Sequence, residues 1–190
     1  MDSVKTLNYS AFVKTLEDQM AIYAAYHRDA RNKATHFVGV PLIMLSLLVP
    51  LSLLRVSVGG FDLTAAVLLS SAVLAYYFVL DFVLAVAMLA LLGALIWLAE
   101  LIAAGGAASA WTWFGVLFVG GWILQLVGHV FEGRKPALAD NLFQIFVAPI
   151  FLAAEILFAL GYKPALHSAV QARALKLRTS ATDAKLTPAR

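Results

Sequence analysis

A chain of 190 residues that is 62% hydrophobic and only 13% charged, with a mean hydropathy of +0.86, carries about half the ~25% charge of a soluble domain and reads as an integral membrane protein. Its length suits one compact helical bundle, because each crossing helix needs about 20 apolar residues. The absence of cysteine excludes disulfides, zinc–thiolate sites and cysteine-ligated iron–sulfur clusters, leaving any metal to His, Asp or Glu, and the net charge of +3 comes from basic residues in the tails and two loops, a topology signal and not a nucleic-acid surface.

No cleavable signal peptide is expected, since the first residues lack a continuous apolar region. From Ser10, a candidate N-cap, to His27, the apolar residues Phe12, Leu16, Met20 and Tyr23 recur at spacings of three and four, with His27 continuing the stripe. This predicts an amphipathic helix lying on the membrane surface or against the bundle. The polar, mostly basic segment 28–33 reads as a turn. His36 opens the first apolar run, 37–54, with Pro41 in its first turns, where a missing amide costs least. At about 100° per residue, His27 and His36 would face opposite sides of one straight helix. They converge only if the chain bends, and the bend is expected around Asn32.

A connection ending in Gly59-Gly60 leads to a second run, 61–80, and a third follows Asp81 over 82–104. One residue is short for a helical hairpin, so the turn is expected to consume flanking positions between 76 and 84. Gly105-Gly106 make the next loop, and Trp111 and Trp113 form an interface belt before a fourth run that ends near Phe131. The fifth stretch, 141–160, carries Gln144, Pro149 and Glu155 and is the least typical span. If the first four runs cross and the fifth does not, Arg28, Arg31 and Lys33, then Arg134 and Lys135, then Lys163, Arg173, Lys176 and Arg178 all lie on the cytoplasmic side; only Arg55 dissents. The expected architecture is an all-α integral membrane bundle of four transmembrane helices, with an N-terminal amphipathic helix and a re-entrant or interfacial fifth apolar segment. Residues 1–178 form its single domain and 179–190 a disordered tail, with both termini on the cytoplasmic side.

His129 and Glu132 end the fourth run and, three residues apart, share one helix face. They can point at one metal ion; alternatively, Glu132 marks the water interface and His129 packs between helices. Three histidines, His27, His36 and His129, fall near helix ends on one membrane face. With Glu132 and Glu155 they offer ligands suited to iron, zinc or manganese, and two histidines plus a carboxylate are typical of non-haem Fe(II) oxygenases. The carboxylate can instead orient a histidine. His167 reads as a solvated tail residue. The Gly-Gly pairs lack a phosphate-loop context, and Ser46, Ser70 and Ser71 read as helix-packing residues. A transporter or scaffold with buried polar residues, or a haem protein with two axial histidines, are the competing classes.

Tyr26-His27, Asn32, His36 and Pro41, together with Gly128-His129, Glu132, Pro136-Ala137-Leu138, Asn141-Leu142, Ala148-Pro149, Glu155 and Gly161, resemble the small membrane 2-hydroxy fatty acid dioxygenases. The resemblance covers about residues 20–165. It implies an enzyme that uses Fe(II) and O2 to shorten long-chain 2-hydroxy fatty acids by one carbon, in fatty acid α-oxidation and phytosphingosine degradation. The essential histidines would be His27, His36 and His129, with Glu132 as a further metal-binding and catalytic candidate. On the substrate side, Arg134 or Lys135 would attract the carboxylate, Asn32 and Gln125 are further binding candidates, and the acyl chain would lie among the helices. The implied setting is a lipid bilayer, the bacterial inner membrane or the endoplasmic reticulum of a eukaryote, with the site near the cytoplasmic face and no nucleic-acid partner.

Overall fold

Capping residues divide this apolar sequence into seven helices and one hairpin in the computed structural model, which describes residues 15–133 and 144–186. Ser10, Arg134 and Lys135 lie outside them. Helix α1 (Leu16–Tyr26) starts at a capping box in which the Thr15 side chain accepts from the Asp18 amide and the Asp18 carboxylate accepts from the Thr15 amide. It buries Met20, Tyr23, Ala24 and Ala25 in the bundle. His27 follows in a non-helical conformation, and Asp29 then N-caps α2 (Ala30–Leu51), its Oδ1 accepting from the Arg31 amide at 2.8 Å. The break between the histidines therefore falls at 27–29, ahead of Asn32. Most of the segment expected to be a turn is the first turn of α2, because an aspartate at the N-cap starts a helix at once.

The connection before the second run is a β-hairpin. Strands β1 (Arg55–Val58) and β2 (Phe61–Thr64) pair antiparallel across Gly59 and Gly60, whose φ angles of 58° and 86° suit a two-residue turn open to glycine. Thr64 Oγ1 donates to Glu100 Oε1 at 2.8 Å and caps α3 (Ala65–Leu80), so the hairpin is fastened to α4 (Phe82–Ala103). Between α3 and α4 the turn consumes no flanking residue. Asp81 alone is extended (φ −163°, ψ 125°), and its Oδ1 accepts from the amides of Val83 and Leu84 at 3.0 and 3.1 Å while Lys163 pairs with Oδ2. One extended residue redirects the chain, and its carboxylate satisfies the amides that α4 leaves open. Asp81→Ala is expected to lower stability by about 1–2 kcal/mol, with Asp81→Asn retaining most of it, as read from unfolding in detergent.

Helix α5 (Gly106–Glu132) ends at Gly133 in the left-handed conformation, α6 spans Gln144–Ala159 and α7 spans Pro164–Leu186. Helix α7 continues eight residues past the point where a disordered tail was expected, through Ala181, Ala184 and Leu186, all good helix formers. By length and composition, α2, α4 and α5 can cross a membrane. Helix α3, the second expected span, has 16 residues, about 24 Å against a hydrocarbon core of ~30 Å. Leu89, Trp97, Val119 and Val130 are exposed on α4 and α5, as suits surfaces facing acyl chains.

The most extensive helix contact is between α2 and α5. Gly39 and Ile43 meet Gly121, whereas Asn32 and Thr35 meet Gly128, so rising numbers on α2 match falling numbers on α5 and the two run antiparallel. That direction brings the start of α2 and the end of α5 to one end of the bundle. Small residues let the backbones approach closely: a Cβ on Gly121 would lie 2.6 Å from Ile43 Cγ1 and 3.0 Å from the Gly39 carbonyl. Helix α1 packs on α6 and α7 at the same end.

Candidate metal centre and cavity

Three imidazoles meet where α1 ends, α2 begins and α5 ends. His27 sits on the non-helical cap of α1, one turn after Tyr23, whose ring stacks on it with centroids 3.9 Å apart and planes 8° apart. His36 lies on the second turn of α2 and His129 on the last turn of α5. The centroid of His36 lies 4.5 Å from that of His27, and His129 lies 5.0 and 5.1 Å from the two. One ring nitrogen from each falls within 4.8 Å of the others. All three residues are buried, at 3%, 3% and 6% exposure.

Hydrogen bonding fixes what two of these rings present. His27 Nδ1 lies 2.8 Å from the Tyr23 carbonyl oxygen and His36 Nδ1 lies 2.8 Å from that of Asn32. A carbonyl only accepts, so each Nδ1 carries the hydrogen and each Nε2 offers a lone pair. Those two Nε2 atoms are 3.1 Å apart. With this tautomer neither can donate to the other, and two lone pairs at that distance repel unless both point at a cation. Burial, reinforced by the neighbouring His36 imidazole, pushes His27 down to about 2, which holds it in the neutral form a metal ligand needs. The backbone-anchored Nδ1–H is also how metal-binding histidines are usually oriented. The residues present fit a metal ion held by imidazole nitrogen, a donor type that suits iron, zinc, copper and nickel.

The Glu132 carboxylate, a further metal-binding candidate, is engaged by the chain itself. Glu132 Oε2 accepts from the amides of Arg28 and Asp29 at 2.9 and 2.8 Å and from Asn32 Nδ2 at 3.2 Å, while Oε1 accepts from Arg178 at 2.7 Å. Its side chain is 2% exposed, and its oxygens are engaged by the chain break that turns His27 toward His36. Asn32, expected on the substrate side, is fully buried behind His36; it donates to the Tyr26 carbonyl and to Glu132, outside the cavity wall. Glu155 pairs with Lys33 at 2.5 Å, and His167 stacks on Phe158 at 4.7 Å. Glu132→Gln keeps an acceptor for the amides but sets an NH2 group against Arg178. It is expected to weaken metal affinity or activity by about 10- to 100-fold, the range for a partner behind the ligands. Complete loss of iron in that variant would place the carboxylate on the metal.

From the imidazoles a cavity of about 290 Å³ runs along the bundle. Val40, Ile43, Met44, Leu47 and Leu48 continue the His36 face of α2 as one wall, so the cavity follows α2 for about 18 Å. Gln125, the remaining substrate-side candidate, lines it one turn before His129. The sequence placed Tyr23 on the His27 stripe and Gly128 beside His129, but not the stacking of the one or the helix seam formed by the other. The spacing of four from Tyr23 to His27, and the glycines at 121 and 128 on one face of α5, were the available signals.

The family model described as 2-hydroxy-palmitic acid dioxygenase Mpo1-like matches residues 13–160. The chain is 34% identical over 160 residues to the 2-hydroxy-palmitic acid dioxygenase MPO1 of Saccharomyces cerevisiae, an alignment that spans 82% of this chain and 87% of the yeast protein. No solved structure matches.

Proposed function

Because the chain belongs to the 2-hydroxy-palmitic acid dioxygenase Mpo1-like family, we propose that it is an iron(II)-dependent dioxygenase that shortens long-chain 2-hydroxy fatty acids by one carbon, using O2 and no 2-oxoglutarate. The observation that carries this reading is the pair of bare Nε2 atoms of His27 and His36 facing each other at 3.1 Å beside His129. Among the metals that imidazole suits, zinc has no redox chemistry, whereas bound iron(II) would supply the one-electron steps through which O2 reacts with a closed-shell acid.

Electron balance favours a self-sufficient reaction. Converting R–CH(OH)–COOH and O2 to R–COOH, CO2 and H2O oxidises C2 from alcohol to acid level and C1 to CO2. The substrate thus supplies the four electrons that reduce O2, and no separate reductant is required. In this reading His27, His36 and His129 hold the metal, while the Tyr23 and Asn32 carbonyls fix the tautomers of two of them. Glu132 and Arg178 hold the break at 27–29 that turns His27 inward. The apolar wall of α2 takes the acyl chain and keeps water from the reacting end. The basic residues around that end, Arg28, Arg31 and Lys33, support a site at the cytoplasmic face by the positive-inside rule.

The test is to load the purified protein with iron(II) anaerobically, add 2-hydroxypalmitic acid and then admit O2. The acid one carbon shorter and CO2 should appear in equal amounts without 2-oxoglutarate. Failure to form the shortened acid would refute the proposal.

A further inference from the structure

Gln125 lines the cavity one helical turn from His129, and its amide nitrogen has no partner among the described residues. The residue is 6% exposed, and its buried Nε2 donates to nothing among the described residues. A buried donor left unmade is costly, so this amide calls for an acceptor that the described residues do not supply. The backbone of α2 is shaped to admit it: a Cβ on Gly39 would stand 2.6 Å from Gln125 Nε2, so only a residue without a side chain leaves the amide its place. Positions 125 and 129 share one face of α5, which brings the amide and the His129 imidazole to the same stretch of the cavity.

We propose that Gln125 Nε2 holds the carboxylate of the bound acid; this rests on the 2-hydroxy acid reading above. A carboxylate taken from water into apolar walls is the group that most needs donors. Among the described residues, Arg178 is paired with Glu132 and Lys33 with Glu155. Trp122 Nε1 also lacks a partner among the described residues, and Trp122 lines the cavity, but it stands seven residues from His129, about 10 Å along the helix. An N–H of a carboxamide only donates. It therefore suits a carboxylate, an acceptor throughout, better than a hydroxyl, which is itself a donor. Gln125 is thus the residue that distinguishes an acid from a neutral lipid of the same length.

Binding measured under argon, where no turnover occurs, tests the assignment. Iron-loaded wild type and Gln125→Met are titrated with 2-hydroxypalmitic acid and with the 1,2-diol of the same chain length, followed by intrinsic tryptophan fluorescence, and iron content is measured in both. The variant should keep its iron, bind the acid about 10- to 100-fold more weakly, as expected for a lost hydrogen bond to a charged group, and bind the diol as wild type does. Gln125→Asn, which keeps a polar side chain but withdraws the amide by one methylene, should show the same acid-selective loss and serves if the methionine variant does not fold. Equal losses for acid and diol would assign the amide to the hydroxyl, and no loss for either would leave it to water; both overturn the proposal. Iron-loaded wild type that binds neither ligand would instead overturn the 2-hydroxy acid reading, and this assignment with it.

Discussion

Replacing His129 by alanine is expected to abolish iron binding and turnover while the bundle stays folded. The imidazole is buried at the last turn of α5 against the rings of His27 and His36, and it is one of three nitrogen donors gathered within 4.8 Å. Removing a donor from so small a set should cost more than the ~10- to 100-fold produced by a partner behind the ligands. Iron analysis alongside circular dichroism separates metal loss from unfolding. His36→Ala should behave alike. Full iron and full activity in His129→Ala would mean that the metal lies elsewhere.

Gly128→Ala is expected to be nearly as damaging without touching a ligand. The new Cβ would lie 2.2 Å from Thr35 Oγ1, 2.5 Å from Asn32 Oδ1 and 3.2 Å from His36 Nδ1. Thr35 Oγ1 and His36 Nδ1 both bond to the Asn32 carbonyl at 2.8 Å, so that cluster cannot give way without turning His36. Overpacking of this kind costs about 1–3 kcal/mol, and separating α2 from α5 pulls His36 away from His129. Reduced iron content and a lower unfolding midpoint are the expected readouts. Gly120→Ala is the control: a Cβ there meets nothing within 4 Å, so iron and activity should stay at wild-type levels.

How much of this was legible in the sequence follows from the range of the interactions involved. The helical phase of His27 and His36 demanded a break between them, and the break exists. Its position was misjudged because the polar run 28–33 drew attention from Asp29, whose side chain starts α2. The hairpin was hidden for a related reason: Val56, Val58, Phe61 and Leu63 raise local hydropathy and merge with the neighbouring helices when only apolar content is followed. At Asp81, counting residues suggested a longer turn, whereas one extended residue with a capping carboxylate suffices. Glu132 shows the opposite limit. Its spacing of three from His129 correctly implied a shared face, but its partners Arg28 and Asp29 lie over 100 positions away in the chain. Local pattern cannot tell a carboxylate that binds a metal from one that caps a distant chain break.

X-ray absorption at the iron edge, recorded on the anaerobically reconstituted protein, tests most directly whether the three histidines hold the metal. One iron per chain is expected, with light-atom ligands at about 2.0–2.2 Å, as for metal–imidazole bonds, with an imidazole scattering pattern, and with the iron lost in His27→Ala. Protein that takes up no iron, a Soret band in its visible spectrum, or an iron edge unchanged by His27→Ala would contradict it.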